Sequence, residues 1–125
     1  MAIVALTPIR VPFNTVTVGT LTASTTDGLE YTPARVGTYK NKTMKDGNTL
    51  LVVYNSSADT AYDITIKAPT NKINTSAQVD VVVEVAFGKT AYIPLESAMW
   101  LDHTTGKITF DSENAALKAD VIVIG

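Results

Sequence analysis

Apolar and polar positions alternate at period two over several short stretches of this chain, and nowhere do they repeat at helical spacing for ten residues. Tyr62, Ile64, Ile66 and Ala68 alternate with Asp63, Thr65 and Lys67, which predicts a half-buried strand. Val79, Val81, Val83 and Val85 form one face of the next strand, against the mostly polar Gln78, Asp80, Val82 and Glu84. Residues 50–54 are almost continuously apolar, as expected of a strand covered on both faces. A turn at residues 55–59 follows, so this run and the Tyr62 strand are expected to pair as an antiparallel hairpin.

The rest of the chain reads in the same grammar. Residues 2–6 form a short strand, and Ile9, Arg10 and Val11, bracketed by Pro8 and Pro12, an edge strand or extended arm. Residues 15–18 alternate, and Gly19 shifts the phase before residues 20–22, the pattern of a β-bulge. Thr26, Asp27 and Gly28 turn the chain into a strand at 29–32, and residues 33–48 show no period and read as a long loop. Strands are expected at 91–95, with Pro94 marking an edge, at 98–101, at 108–110 and at 120–124. Residues 112–118 hold one helical turn at most. About nine short strands separated by turns predict an all-β fold, a two-sheet antiparallel β-sandwich of jelly-roll-like winding. Residues 1–14 form an N-terminal extended arm or edge strand, and residues 15–125 a single β-sandwich domain. Val52, Ile64, Ile66, Val81, Val83, Val85 and Ile122 are the expected core.

Composition supports this reading. Thr, Val and Ile number 19, 14 and 9, a third of the 125 residues, and these side chains favour strands over helices. The chain has no cysteine, which excludes disulfides and thiolate chemistry, and its single histidine, His103, cannot build a multi-histidine metal site. A net charge of −2 gives no global drive toward nucleic acid or anionic membrane. The chain lacks the run of about 18 apolar residues a membrane span needs, and Met1 to Thr7 lacks the basic start of a signal peptide.

Candidate chemistry is sparse. His103, with Asp102, Asp111 and Ser97 nearby in sequence, is a possible general base, but it sits in a polar turn and no Gly-x-Ser-x-Gly elbow accompanies it. The 12 acids scatter singly rather than pairing as glycoside hydrolysis requires. Asp59 with Asp63, and Asp46-Gly47-Asn48, fall short of the oxygen density of a calcium loop. Val36-Gly37-Thr38 precedes no helix that could hold a phosphate. Arg35, Lys40, Lys42 and Lys45, interleaved with Tyr31 and Tyr39, are the best local anion-binding cluster, more simply read as a solvated face or protein contact. Trp100 and Tyr92 could form a sugar-stacking platform, although Trp100 between Met99 and Leu101 suits a core better. Three sequons begin at Asn41, Asn55 and Asn74, and are expected to go unused. The residues therefore name no catalytic, cofactor-binding or metal site, and the chain is expected not to be an enzyme and to need no cofactor.

A narrower reading comes from resemblance. Residues 46–58, DGNTLLVVYNSSA, followed by YDITIKAP at 62–69, resemble small virion proteins of tailed phages and prophages. The valine-rich strand at 79–85, the segment GKTAYIPLES at 88–97, GKITF at 106–110, the apolar strand at 121–124 and the opening MAIVALTP fit the same pattern. Segment 33–48 has no counterpart in it. The resemblance implies a capsid decoration (head cement) protein, a β-sandwich on the outside of the head shell that braces it. It implies the major capsid protein as partner, a homo-oligomer with a trimer foremost, no nucleic acid or membrane partner, and residence in the virion after assembly from the host cytoplasm. The alternatives are another virion component, such as a head-fibre or tail base domain, and a carbohydrate-binding β-sandwich module.

Overall fold

The structure, a computed structural model, describes residues 3–14, 16–33, 49–69, 78–95, 100–102 and 105–124. Ten strands account for the regular structure among them, in two sheets. The first sheet contains β1 (Val4–Leu6), β4 (Leu29–Tyr31), β6 (Tyr62–Ile66), β7 (Val81–Val85) and β9 (Ile108–Ser112), in the order β1-β4-β9-β6-β7. The second contains β2 (Ile9–Val11), β5 (Thr49–Asn55), β8 (Thr90–Pro94) and β10 (Leu117–Ile124), in the order β2-β10-β5-β8, with β3 (Thr22–Ala23) also pairing with β10. The β-sandwich predicted from the alternation is the fold of the protein, and the pairings do not establish a jelly-roll winding.

Period-two alternation explains the core. Leu29, Tyr31, Ile64, Ile66, Ile108 and Phe110 point from the first sheet onto Leu51, Val53, Leu117, Ala119 and Val121 of the second. Of the expected core, Val52, Ile64, Ile66 and Val85 are buried, whereas Val81, Val83 and Ile122 are only half-buried. Val81 and Val83 face the core but lie on β7, which ends its sheet. Val52 and Ile122 have the opposite phase to Leu51 and Val121 and belong to the outer face of the second sheet.

Four sequence expectations are corrected. The sheets are mixed rather than antiparallel, because β1 pairs in parallel with β4, and β2 in parallel with β10. The chain passes between the two sheets over Thr7 and Pro8, so residues 4–11 serve as edge strands of their own sandwich, one in each sheet. The expected hairpin of β5 and β6 does not form, since the two strands lie in different sheets. Asn55 makes the corner. Its Nδ2 donates to the carbonyls of Thr60 at 2.8 Å and Val85 at 2.9 Å, and its Oδ1 accepts from the amide of Ser57 at 2.9 Å. The strand expected at 15–18 is absent from described residues 16–18, and Gly19 makes no bulge. A Cβ at Gly19 would come within 2.8 Å of Ile9 Cδ1, so the glycine permits close passage over β2. Finally, Trp100 has helical backbone and Leu101 is irregular, so 98–101 is not a strand; residues 98 and 99 lie outside the described residues.

Gly28 closes the turn into β4 at φ 104°, and its amide donates to Thr25 O at 3.0 Å. A Cβ there would lie 2.8 Å from the Phe110 carbonyl oxygen in the neighbouring strand. Gly28→Ala combines left-handed strain with a backbone clash and is expected to destabilise the fold by about 2 kcal/mol in urea titration. A change below about 0.5 kcal/mol would refute this account of the turn.

Candidate functional site

Most of the residues singled out for chemistry lie outside the described residues, and the described ones serve local structure. His103 and Ser97 lie outside the described residues, as do Arg35, Tyr39, Lys40, Lys42, Lys45, Val36 to Thr38 and Asp46 to Asn48. Asp102 is buried and organises a turn: its backbone bridges to Lys107, its carbonyl accepts from Gly106 at 2.7 Å, and its Oδ1 accepts from the Thr105 amide at 3.3 Å. Asp111 is exposed on β9 and pairs with Lys67 at 3.7 Å. Lys67 Nζ also donates to Asp80 Oδ2 at 2.8 Å, and these carboxylates raise its pKa, this hydrogen bond most. Asp59 is held by Ser57 and Thr60 in the exposed bend after β5, and no cluster of three metal-ligating residues occurs among the described residues. Tyr31 is buried in the core, which raises the pKa of its phenol, so it is not part of an exposed basic patch. Asn55 is fully buried and closed to glycosylation, while the Asn41 and Asn74 sequons lie outside the described residues.

The aromatic platform fails on burial. Tyr92 is 68% exposed on β8, but Trp100 is only 9% exposed. Trp100 instead lines a cavity of about 270 Å³ with Glu30, Pro69, Asp102, Lys107 and Thr109, among others. Its indole Nε1 is buried without a hydrogen-bond partner among the described residues, and Lys107 is tied to Glu30 at 3.2 Å across the cavity wall. The polar groups of its lining are the indole Nε1, the Lys107–Glu30 pair, Asp102, which organises its own turn, and the Thr105 and Thr109 hydroxyls.

One group elsewhere is unusual. Asp120 is buried on β10 opposite Val52, with Lys118 exposed two residues away, and among the described residues its Oδ1 accepts from the Val121 amide alone, at 2.8 Å. Burial raises its pKa, and the Val121 hydrogen bond opposes that shift. A raised folded pKa means the protonated form favours folding, and that contribution is lost as pH rises through the folded value. Asp120→Asn is therefore expected to raise the melting temperature at pH 7. The gain should shrink as pH falls through the raised pKa toward about 3.9, the value of an unfolded aspartate. An equal gain at all pH values would refute the assignment.

The distinctive surface is apolar. Pro12 ends β2, and Asn14, at φ 61°, turns the chain outward, a conformation asparagine tolerates better than most residues. Beyond it Val16 and Val18 are each 94% exposed, and Phe13 is 72% exposed. Residues 16–20 make no hydrogen bond among the described residues, and residues 12–21 contain no charge. Among the described residues the opposite edge of the second sheet is also bare and uncharged: β8 ends that sheet, with Thr90, Tyr92 and Pro94 exposed. The sequence pattern identified residues 15–18 as β-competent, but alternation alone could not show that the chain supplies them no partner.

Comparison with protein-family models, with curated proteins and with solved structures gives no match for this chain.

Proposed function

We propose that the protein is a structural part of a tailed-phage virion, a decoration protein that binds the major capsid protein on the outside of the head and stabilises the shell. One observation carries this reading: beside a well-packed core the protein exposes the large apolar side chains of Phe13, Val16 and Val18 in a stretch without charge, of the kind that assembly surfaces use. The resemblance of residues 46–58, 62–69, 79–85, 88–97, 106–110 and 121–124 to small virion proteins supplies the context, and the single scattering of the 12 acids along the sequence suits a structural role over an enzymatic one. Burial of Trp100 counts against a carbohydrate-binding module built on Trp100 and Tyr92. A trimer on the shell, and residence in the host cytoplasm before assembly, belong to the same proposal.

The test is binding to expanded empty capsids. The purified protein is expected to co-sediment with them at saturable stoichiometry and to raise the temperature at which they disrupt. Capsids that neither retain the protein nor gain heat resistance would overturn the reading.

A further inference from the structure

We propose that residues 16–20 of one copy add as a strand to the free edge of β8 in a second copy, joining copies head to tail. The proposal deepens the reading of the protein as an assembling part and names the contact between neighbours.

The hydrogen-bond phase of β8 identifies the acceptor edge. Leu95 N donates to Thr49 O, and Asn55 N donates to Lys89 O, both at 3.0 Å. Antiparallel ladders alternate, so Leu51 with Ile93 and Val53 with Ala91 also exchange bonds, and Thr90, Tyr92 and Pro94 turn their backbone groups outward. That edge offers two amides and three carbonyls, Pro94 lacking an amide. The phase also explains why proline is tolerated at 94: its nitrogen faces away from β5.

The donor strand matches it. Residues 16–20, Val-Thr-Val-Gly-Thr, have the five-residue length of β8, contain no proline, and hold their backbone groups unpaired among the described residues. Val16 and Val18 share one face of an extended segment, where they can cover the exposed ring of Tyr92. Neither segment carries a charge, so no ion loses water when they meet.

A second copy is the occupant because one molecule holds both halves on opposite sides. Gly19 passes over Ile9 of β2, at one end of the order β2-β10-β5-β8, and the open edge is β8 at the other. Each copy can therefore give a strand on one side and receive one on the other. Such a heterologous contact closes into a ring or continues as a fibre.

Three variants at exposed positions test this in purified protein without capsids. Val16→Lys with Val18→Lys disables the donor, and Thr90→Lys with Tyr92→Lys charges the acceptor edge. Tyr92→Pro, which deletes one outward amide, is a second acceptor variant, and circular dichroism confirms that each stays folded. By sedimentation velocity the unaltered protein is expected to self-associate with rising concentration, and each variant alone to remain monomeric. A mixture of donor-disabled and edge-disabled proteins is expected to form a one-to-one dimer and nothing larger, since one good strand and one good edge remain. The proposal is overturned if the unaltered protein stays monomeric at millimolar concentration, if any variant associates normally, or if the mixture stays monomeric. Loss of capsid binding with self-association intact would instead overturn the decoration reading alone.

Discussion

Phe110→Ala is expected to lower the free energy of unfolding by about 3–5 kcal/mol, the largest loss of any single truncation in this fold. Phe110 is essentially inaccessible at the middle of β9, opposite Leu29 of β4 on one side and Ile66 of β6 on the other. Both neighbours are fully buried and fixed by their own ladders, so the surroundings have little freedom to collapse into the void. Urea titration should show a lower midpoint at unchanged slope. Thr109→Ala, on the opposite face of the same strand, should stay within about 0.5 kcal/mol. Equal effects at the two positions would mean that the faces of β9 have been assigned the wrong way round.

Asn55→Leu is expected to cost about 3 kcal/mol, although leucine is apolar and similar in size. The carbonyls of Thr60 and Val85 and the amide of Ser57 would lose their side-chain partner at the corner between sheets. Asn55→Asp sharpens the test. An ionised carboxylate cannot donate to the two carbonyls, and its burial raises its folded pKa. Its folded form is then favoured below the unfolded value of about 3.9 and penalised as pH rises through the folded pKa. The aspartate variant should therefore be least stable at neutral pH and recover on acidification. A pH-independent deficit would show that the donors at Asn55 Nδ2 do not hold the corner.

Residues 62–66 and 81–85 were legible as strands because one face of each meets the core, and their alternation records it. Residues 50–54 were legible as a strand, but not one covered on both faces: Leu51 and Val53 meet the core, whereas on the outer face Leu50 is half-buried and Tyr54 exposed. Pairing was harder to read. Residues 55–61 look like a hairpin turn, and only the three hydrogen bonds of the buried Asn55 side chain reveal a change of sheet. Parallel pairing of β1 and β2 left no mark on local pattern, since the partners of Val4–Leu6 and Ile9–Val11 lie far along the chain. At the apolar surface the signal was present but ambiguous: Thr-Val-Thr-Val specifies a willing strand and is silent about who supplies its neighbour. His103 and the basic cluster at 35–45 fall outside the described residues.

β10, the last strand in chain order, lies inside its sheet and pairs with β2, β3 and β5. During synthesis, each of those earlier strands leaves the ribosome before the strand that joins them exists. The second sheet therefore cannot be completed as the chain emerges: β5 and β8 can pair early, but β2 and β3 join them only once residues 117–124 are available. Long sequence separations of this kind slow folding and prolong the exposure of apolar strands. A ribosome-stalled chain ending before residue 117 should remain protease-sensitive, and release of the remaining residues should convert it to a resistant form in a single step.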